Sequence, residues 1–138
     1  MGAGGLRIVD VESARAEALA AALNARHGSG PFADAEPDPA RAVAGATGVV
    51  HATPVGMVKR PGMAIAAALL RPSLWLSEVV YVPIETGLLQ AARSLGCRTV
   101  DGGTMAVGQA VGAFELFTGM RADAARMERH FRQLLAAG

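Results

Sequence analysis

The chain is poor in the residues that most binding and redox chemistries need. It has one cysteine, Cys97, in 138 residues, so neither an internal disulfide nor a cysteine metal cage can form. One cysteine also suits a reducing cytosol, and a cytoplasmic location is the expectation. The three histidines, His27, His51 and His130, stand at no metal-ligand spacing, so no metal is expected. A net charge of +1 gives no electrostatic pull toward nucleic acid or an anionic membrane, and neither is expected as a partner. No apolar run reaches the roughly 18 residues of a membrane span, and no charged-then-apolar signal peptide opens the chain. Aromatic residues make up only 4%, so the core must come mainly from Leu, Val, Ile and Met.

What remains is a small, apolar chain. A hydrophobic fraction of 51% against 18% charge describes a packed globule rather than a disordered segment, and the length fits one domain over residues 1–138. Leu6 to Val11 reads as a buried strand. Ser13 is placed to cap a helix from Ala14 to about Arg26, with Leu19 and Leu23 on one face. Gly28-Ser29-Gly30-Pro31 stops it. Prolines 31, 37 and 39 make the next stretch a loop with at most a short strand at Phe32-Ala33, followed by a short helix at 40–44. Strands are expected at 48–52, 75–82 and 98–100. Helical turns are expected at 64–70, and helices at 87–95, 104–117 and 122–137, the one at 104–117 burying Met105, Val111, Phe114 and Leu116. Gly96 and Gly119 are helix stops. Alternating strands and helices imply an α/β, Rossmann-like fold with a mainly parallel sheet and helices on both faces.

Three strand-to-loop transitions stand out. The run Gly48-Val49-Val50 ends in His51-Ala52-Thr53-Pro54-Val55-Gly56-Met57, where a proline without an N–H and a permissive glycine end the strand. Glu78 to Thr86 and Asp101-Gly102-Gly103-Thr104-Met105 repeat the pattern. In parallel sheets the carboxyl ends of strands are where ligands bind. Tyr81 and Gln109 are polar groups in apolar surroundings that could hydrogen-bond a polyhydroxylated ligand. Each could instead satisfy a backbone group. Asp10 ends the first strand, where an acid in a dinucleotide fold accepts from ribose hydroxyls, or where it is simply solvated. His51 is either a ligand-facing base or a packed, hydrogen-bonded side chain. Cys97 reads as a small buried apolar group, and the arginines from 121 to 132 as a solvated helix face. Gly2-Ala3-Gly4-Gly5 is no phosphate loop, because it precedes a strand; it reads as a flexible tail.

On these motifs the chain resembles the carboxyl-terminal, nucleotide-binding part of the shikimate/quinate dehydrogenases. Residues 51–57 resemble the family's Asn-Ala-Thr-Pro-x-Gly-Met. Residues 78–86 are similar to its Asp-x-Val-Tyr-x-Pro-x-x-Thr, and 101–109 to its Asp-Gly-x-x-Met-x-x-x-Gln. Asp10 to Arg15 is similar to the ribose motif of the NAD-preferring quinate/shikimate enzymes. The resemblance implies that Asp10 and Arg15 face the adenosine ribose. Thr53, Pro54, Val55, Gly56 and Met57 would line the dinucleotide, with Ala64 and Val79 beside it, and Gly102 would offer backbone to the nicotinamide. Gln109, with Tyr81 close by, would bind quinate or shikimate. The implied cofactor is NAD rather than NADP, and the implied reaction is hydride transfer between nicotinamide and a cyclic hydroxy acid.

The departures are His51 for the family's Asn and Glu78 for its Asp. The first residues align with what the family has as its second Rossmann strand. The first strand, its glycine-rich loop and the substrate domain with its catalytic Lys–Asp pair have no counterpart in these residues, where Lys59 is the only lysine. The isolated chain is therefore expected to be inactive. The alternative is a non-catalytic module for oligomer assembly or weak nucleotide binding. Because the absent strand is central in the Rossmann order, a homo-oligomer formed through an exposed sheet edge is expected.

Overall fold

The structure, a computed structural model, describes residues 3–28 and 30–137. The readings placed on Met1, Gly2 and Ser29 lie outside the described residues. The chain divides into two compact units, residues 1–46 and 47–138.

In the first unit, β1 (Leu6–Ile8), α1 (Ser13–His27), β2 (Ala33–Ala35) and α2 (Pro39–Ala44) follow one another. The two strands pair in parallel, with Leu6 opposite Ala33 and Ile8 opposite Ala35. Ser13 is the first helical residue rather than the cap. Glu12 holds the cap position without a side-chain bond, because Asp10 has already turned the chain by accepting the Glu12 N–H at 2.9 Å. Gly28, at φ 71°, closes α1. Asn24 anchors the helix to the next strand: its amide accepts from the Phe32 and Ala33 N–H groups and donates to the Ala33 carbonyl. The buried stripe of α1 runs through Ala16 and Ala20, which leaves Leu19 half exposed on its flank. Asp38 caps α2 by accepting the Ala40 N–H, and Pro39 takes the first turn, where an N–H is not needed.

The second unit holds β3 (Gly48–His51), β4 (Trp75–Glu78), α3 (Gly87–Ser94), β5 (Arg98–Val100), α4 (Gly102–Thr118) and α5 (Ala124–Ala137). Its sheet is parallel with β4 in the middle. Leu74, Leu76, Leu88, Leu89 and Ala92 are its buried core. The expected turns at 64–70 reduce to one 3-10 turn at Ala67–Leu69. Thr86 caps α3. The helix ends with Gly96 at φ 79°, the Gly96 N–H reaching the Arg93 carbonyl and the Cys97 N–H the Ala92 carbonyl, a Schellman stop. The Cys97 thiol, buried as expected, donates to the Arg71 carbonyl.

Helix α4 departs most from expectation. It starts two residues early because Asp101 caps it, accepting the Thr104 N–H at 2.8 Å. Only Gly102, Gly103 and Val107 are buried on it. Phe114 and Leu116, expected in the core, are exposed, as are Phe117 and Met120. The helix is apolar all round, so its sequence marks no single inward face.

Among the described residues all pairs of named strands are parallel, as the α/β reading requires, and they form a two-stranded and a three-stranded sheet. Taken each by itself, the orders β2-β1 and β3-β4-β5 are the runs 3-2 and 4-5-6 of the doubly wound order. No described strand pairs with both β1 and β3. Among the described residues no helix is long and apolar enough to cross a membrane.

Candidate functional site

The three strands of the second unit end in step. His51, last in β3, lies opposite Glu78, last in β4, and Ser77 lies opposite Val100, last in β5. Loops 52–57, 79–86 and the start of α4 therefore leave from one edge of the sheet, its carboxyl edge. The first loop is a tight reversal. The Gly56 N–H donates to the Arg60 carbonyl at 2.7 Å and the Met57 N–H to the Pro54 carbonyl at 3.3 Å. Gly56 sits at φ 97°, a conformation that a residue with a Cβ rarely adopts. Thr53, Pro54 and Met57 are exposed, and Val55 and Gly56 are half-buried.

Beneath this loop lies a buried polar network. His51 is 4% exposed and Glu78 fully buried. His51 Nδ1 lies 2.8 Å from Glu78 Oε1, and its Nε2 lies 2.7 Å from the Thr53 hydroxyl. Glu78 also accepts the Val80 N–H at 3.0 Å and the Thr86 hydroxyl at 2.9 Å. The Thr86 oxygen accepts the Leu89 N–H at 3.1 Å. Burial pushes the Glu78 carboxyl up, but the hydrogen bonds from His51, Val80 and Thr86 outweigh it, and the group rests below its ordinary value. His51 is thus a hydrogen-bonded interior side chain rather than a ligand-facing base. Thr86 was legible only as part of a motif, and nothing local marks it as the partner of a buried glutamate.

The second and third loops touch. A Cβ built on Gly102 would lie 2.3 Å from the Val80 carbonyl oxygen and 2.6 Å from that of Val79, so α4 begins pressed against this backbone. Tyr81 lies beyond β4, which ends at Glu78, and is exposed. Its ring centroid is 6.1 Å from that of Phe131 on α5. Asp101 is held by Arg132 at 3.2 Å and by Arg93 at 3.6 Å. Burial pushes its carboxyl up, while the Thr104 N–H and Arg132 pull it further down, to a net value below normal. Arg132 is held in turn by Glu128 at 3.0 Å, and Arg93 pairs with Glu85. Gln109 is exposed on α4, and Ala64 is half-buried in the segment after the first loop.

In the first unit, Asp10 follows the carboxyl end of β1. With Ser13, Glu17 and Glu36 it lines a cavity of about 70 Å³. Arg15 does not join it: its guanidinium pairs with Glu12 at 2.9 Å. Among the described residues no group of three His, Cys, Asp or Glu side chains could hold a metal ion.

This geometry has close parallels. The profile of the Shikimate 5'-dehydrogenase C-terminal domain matches residues 102–130. The chain is 54% identical over 128 residues to the shikimate dehydrogenase (NADP(+)) of Streptomyces avermitilis, covering 92% of this chain and 44% of that protein. It is 48% identical over 135 residues to the quinate/shikimate dehydrogenase (NAD(+)) of Corynebacterium efficiens, covering 94% and 46%. Its fold matches quinate dehydrogenase from Corynebacterium glutamicum, solved in complex with NAD, with a TM-score of 0.86 and 44% identity, covering 96% of this chain and 47% of that one. The chain spans just under half the length of each of these relatives.

Proposed function

We propose that this chain, which matches the carboxyl-terminal part of shikimate/quinate dehydrogenases, is the nicotinamide-dinucleotide-binding part of a quinate/shikimate-type oxidoreductase. The observation that carries this reading is the alignment of three loop starts at the carboxyl edge of one parallel sheet, the crevice position for dinucleotides in open α/β folds. The residue chemistry there fits the group. Pro54, Val55, Met57 and Val79 offer half-buried or exposed apolar surface for a flat ring. In the first unit Asp10 offers a carboxylate acceptor for sugar hydroxyls. When bound, the dinucleotide supplies the hydride chemistry, and the protein supplies orientation. Tyr81 and Gln109, both exposed, are available to hydrogen-bond the hydroxyls of quinate or shikimate.

NAD is the preferred cofactor in this reading. Asp10, Glu17 and Glu36 surround one small cavity, and a 2'-phosphate entering it would meet carboxylates, not the arginine that NADP sites use. Calorimetric titration with NAD and then NADP tests this. Saturable NAD binding with weaker NADP binding is the expected result, and Asp10→Ser should narrow the gap. Tighter NADP binding by the unaltered chain would overturn the preference. The 138 residues carry no counterpart of the family's Lys–Asp pair, so the purified chain should form no NADH from quinate or shikimate in a cytoplasm-like buffer.

One observation favours assembly as a second role. Among the described residues β1 pairs only with β2 and β3 only with β4, and Val50 on β3 is 60% exposed. An unpaired edge of this kind invites a strand from another chain.

A further inference from the structure

We propose that Glu78 is the positioning residue of the carboxyl edge, a buried brace with two arms that fixes the first loop through His51 and the start of α3 through Thr86. The inference rests on the dinucleotide reading only for what the loop is used for. The brace itself stands on geometry.

Glu78 is fully buried at the end of the central strand. Its carboxylate oxygens can only accept, so His51 Nδ1, at 2.8 Å, carries a hydrogen in either charge state of the ring. That fixes the imidazole plane and aims Nε2 at the Thr53 hydroxyl, 2.7 Å away. The Thr53 oxygen then accepts the Val55 N–H at 3.3 Å, inside the turn that ends at Gly56 and Met57. This arm runs from the sheet core to the exposed loop. The other arm runs through the Thr86 hydroxyl, which donates to Glu78 Oε2 and accepts the Leu89 N–H that opens α3. The arms also converge in space, since a Cβ built on Gly56 would lie 3.5 Å from the Thr86 side chain. One carboxylate thus sets the loop and the first turn of the next helix together. Its three bonds leave no buried side-chain polar atom of the network unsatisfied among the described residues.

Amide hydrogen exchange on the chain, followed residue by residue by NMR, tests the brace without nucleotide. His51→Asn should speed exchange at Val55 about tenfold, the loss of one hydrogen bond, and leave Leu89 unchanged. Glu78→Gln should speed exchange at both Val55 and Leu89. Val107, buried on α4, should keep its wild-type rate in both variants. Equal acceleration at all three amides would mean a general loss of stability and overturn the proposal, as would an unchanged Val55 in His51→Asn. If Glu78→Gln does not fold, Thr86→Val tests the second arm, with Leu89 accelerated and Val55 not. Titration of the same samples with NAD should show His51→Asn weakening binding several-fold. Absence of NAD binding by the unaltered chain would sink the dinucleotide reading and leave the exchange test standing.

Discussion

Replacing Gly102 by alanine should destabilise the second unit for a reason unrelated to any ligand. Gly102 is not at positive φ, so its backbone would accept a side chain. What is missing is space. The added Cβ would lie 2.3 Å from the Val80 oxygen and 2.6 Å from the Val79 oxygen. Those carbonyls cannot retreat easily, because the Val79 N–H is bonded to the His51 carbonyl at 3.1 Å and the Val80 N–H to Glu78 at 3.0 Å. The start of α4 must move instead. Overpacking of this kind costs about 1–3 kcal/mol, against a gain of at most about 1 kcal/mol in helix propensity. The net expectation is a loss of about 1–2 kcal/mol. Gly108 and Gly112, on the same helix, have nothing within 4 Å of a built Cβ. Alanine there should add about 0.5–1 kcal/mol each. Urea unfolding followed by the fluorescence of Trp75, the single tryptophan, reads the effect directly, since its ring lies over Gly48 in the β3–β4 pair. With a slope of about 1–2 kcal/mol per molar, Gly102→Ala should lower the midpoint by about 1 M. Gly108→Ala should raise it by a few tenths. A midpoint for Gly102→Ala at or above wild type would refute the reasoning, because it would mean that the Val79–Val80 backbone gives way.

Acid should unfold the second unit through its two perturbed carboxyls. Glu78 and Asp101 both rest below their ordinary values in the folded chain. Their contribution is therefore present above the unfolded pKa of about 4 and lost as pH falls through the lowered folded value. The urea midpoint should hold between about pH 5 and 7, fall below about pH 4, and fall less steeply in Glu78→Gln. Asp101→Ala should cost about 1–2 kcal/mol of stability as a lost helix cap. Asp101→Asn keeps the cap and loses only the partly exposed ion pairs with Arg132 and Arg93, so it should cost less than about 1 kcal/mol; equal losses in the two would contradict a capping role. Light scattering should find the chain as a dimer or larger species, in keeping with the unpaired edges of β1 and β3, and a monomer at tens of micromolar would count against assembly through them.

What was legible in the sequence is what local chemistry decides. Pro54 and Gly56 end β3 because one lacks an N–H and the other takes φ 97°. Gly96 and Gly119 end their helices in the left-handed region for the same kind of reason. Parallel pairing followed from the alternation of strands and helices. The errors came where a neighbouring turn or the packing of a whole element decides. Ser13 lost the cap position to a turn set by Asp10. Leu19 lost the buried stripe to Ala16 and Ala20. Tyr81 fell outside β4, which ends where Glu78 turns inward. Phe114 and Leu116 were expected inside because apolar residues usually are, but α4 carries apolar residues on every side, and a helix cannot bury them all against one neighbour.

The site shows the same division more sharply. Of the residues picked out for ligand contact, Thr53, Pro54, Met57, Tyr81 and Gln109 are exposed, Val55, Gly56, Ala64 and Val79 are half-buried and Gly102 is buried, while the two perturbed carboxyls, Glu78 and Asp101, are both buried. His51 and Glu78 are 27 residues apart, and only the register of β3 on β4 brings them to 2.8 Å. A one-residue slip would put them on opposite faces. No local pattern could reveal the pair, yet the two departures from the family motif fall on these two positions, His for Asn and Glu for Asp. A longer side chain at each end of one contact points to exchange within a single interaction. If so, His51→Asn and Glu78→Asp should each destabilise the chain, and the double variant should cost less than their sum, which unfolding of all three would measure. Additive losses would show that the two substitutions arose independently, and that the buried charge at the loop's root is held by Val80 and Thr86 alone.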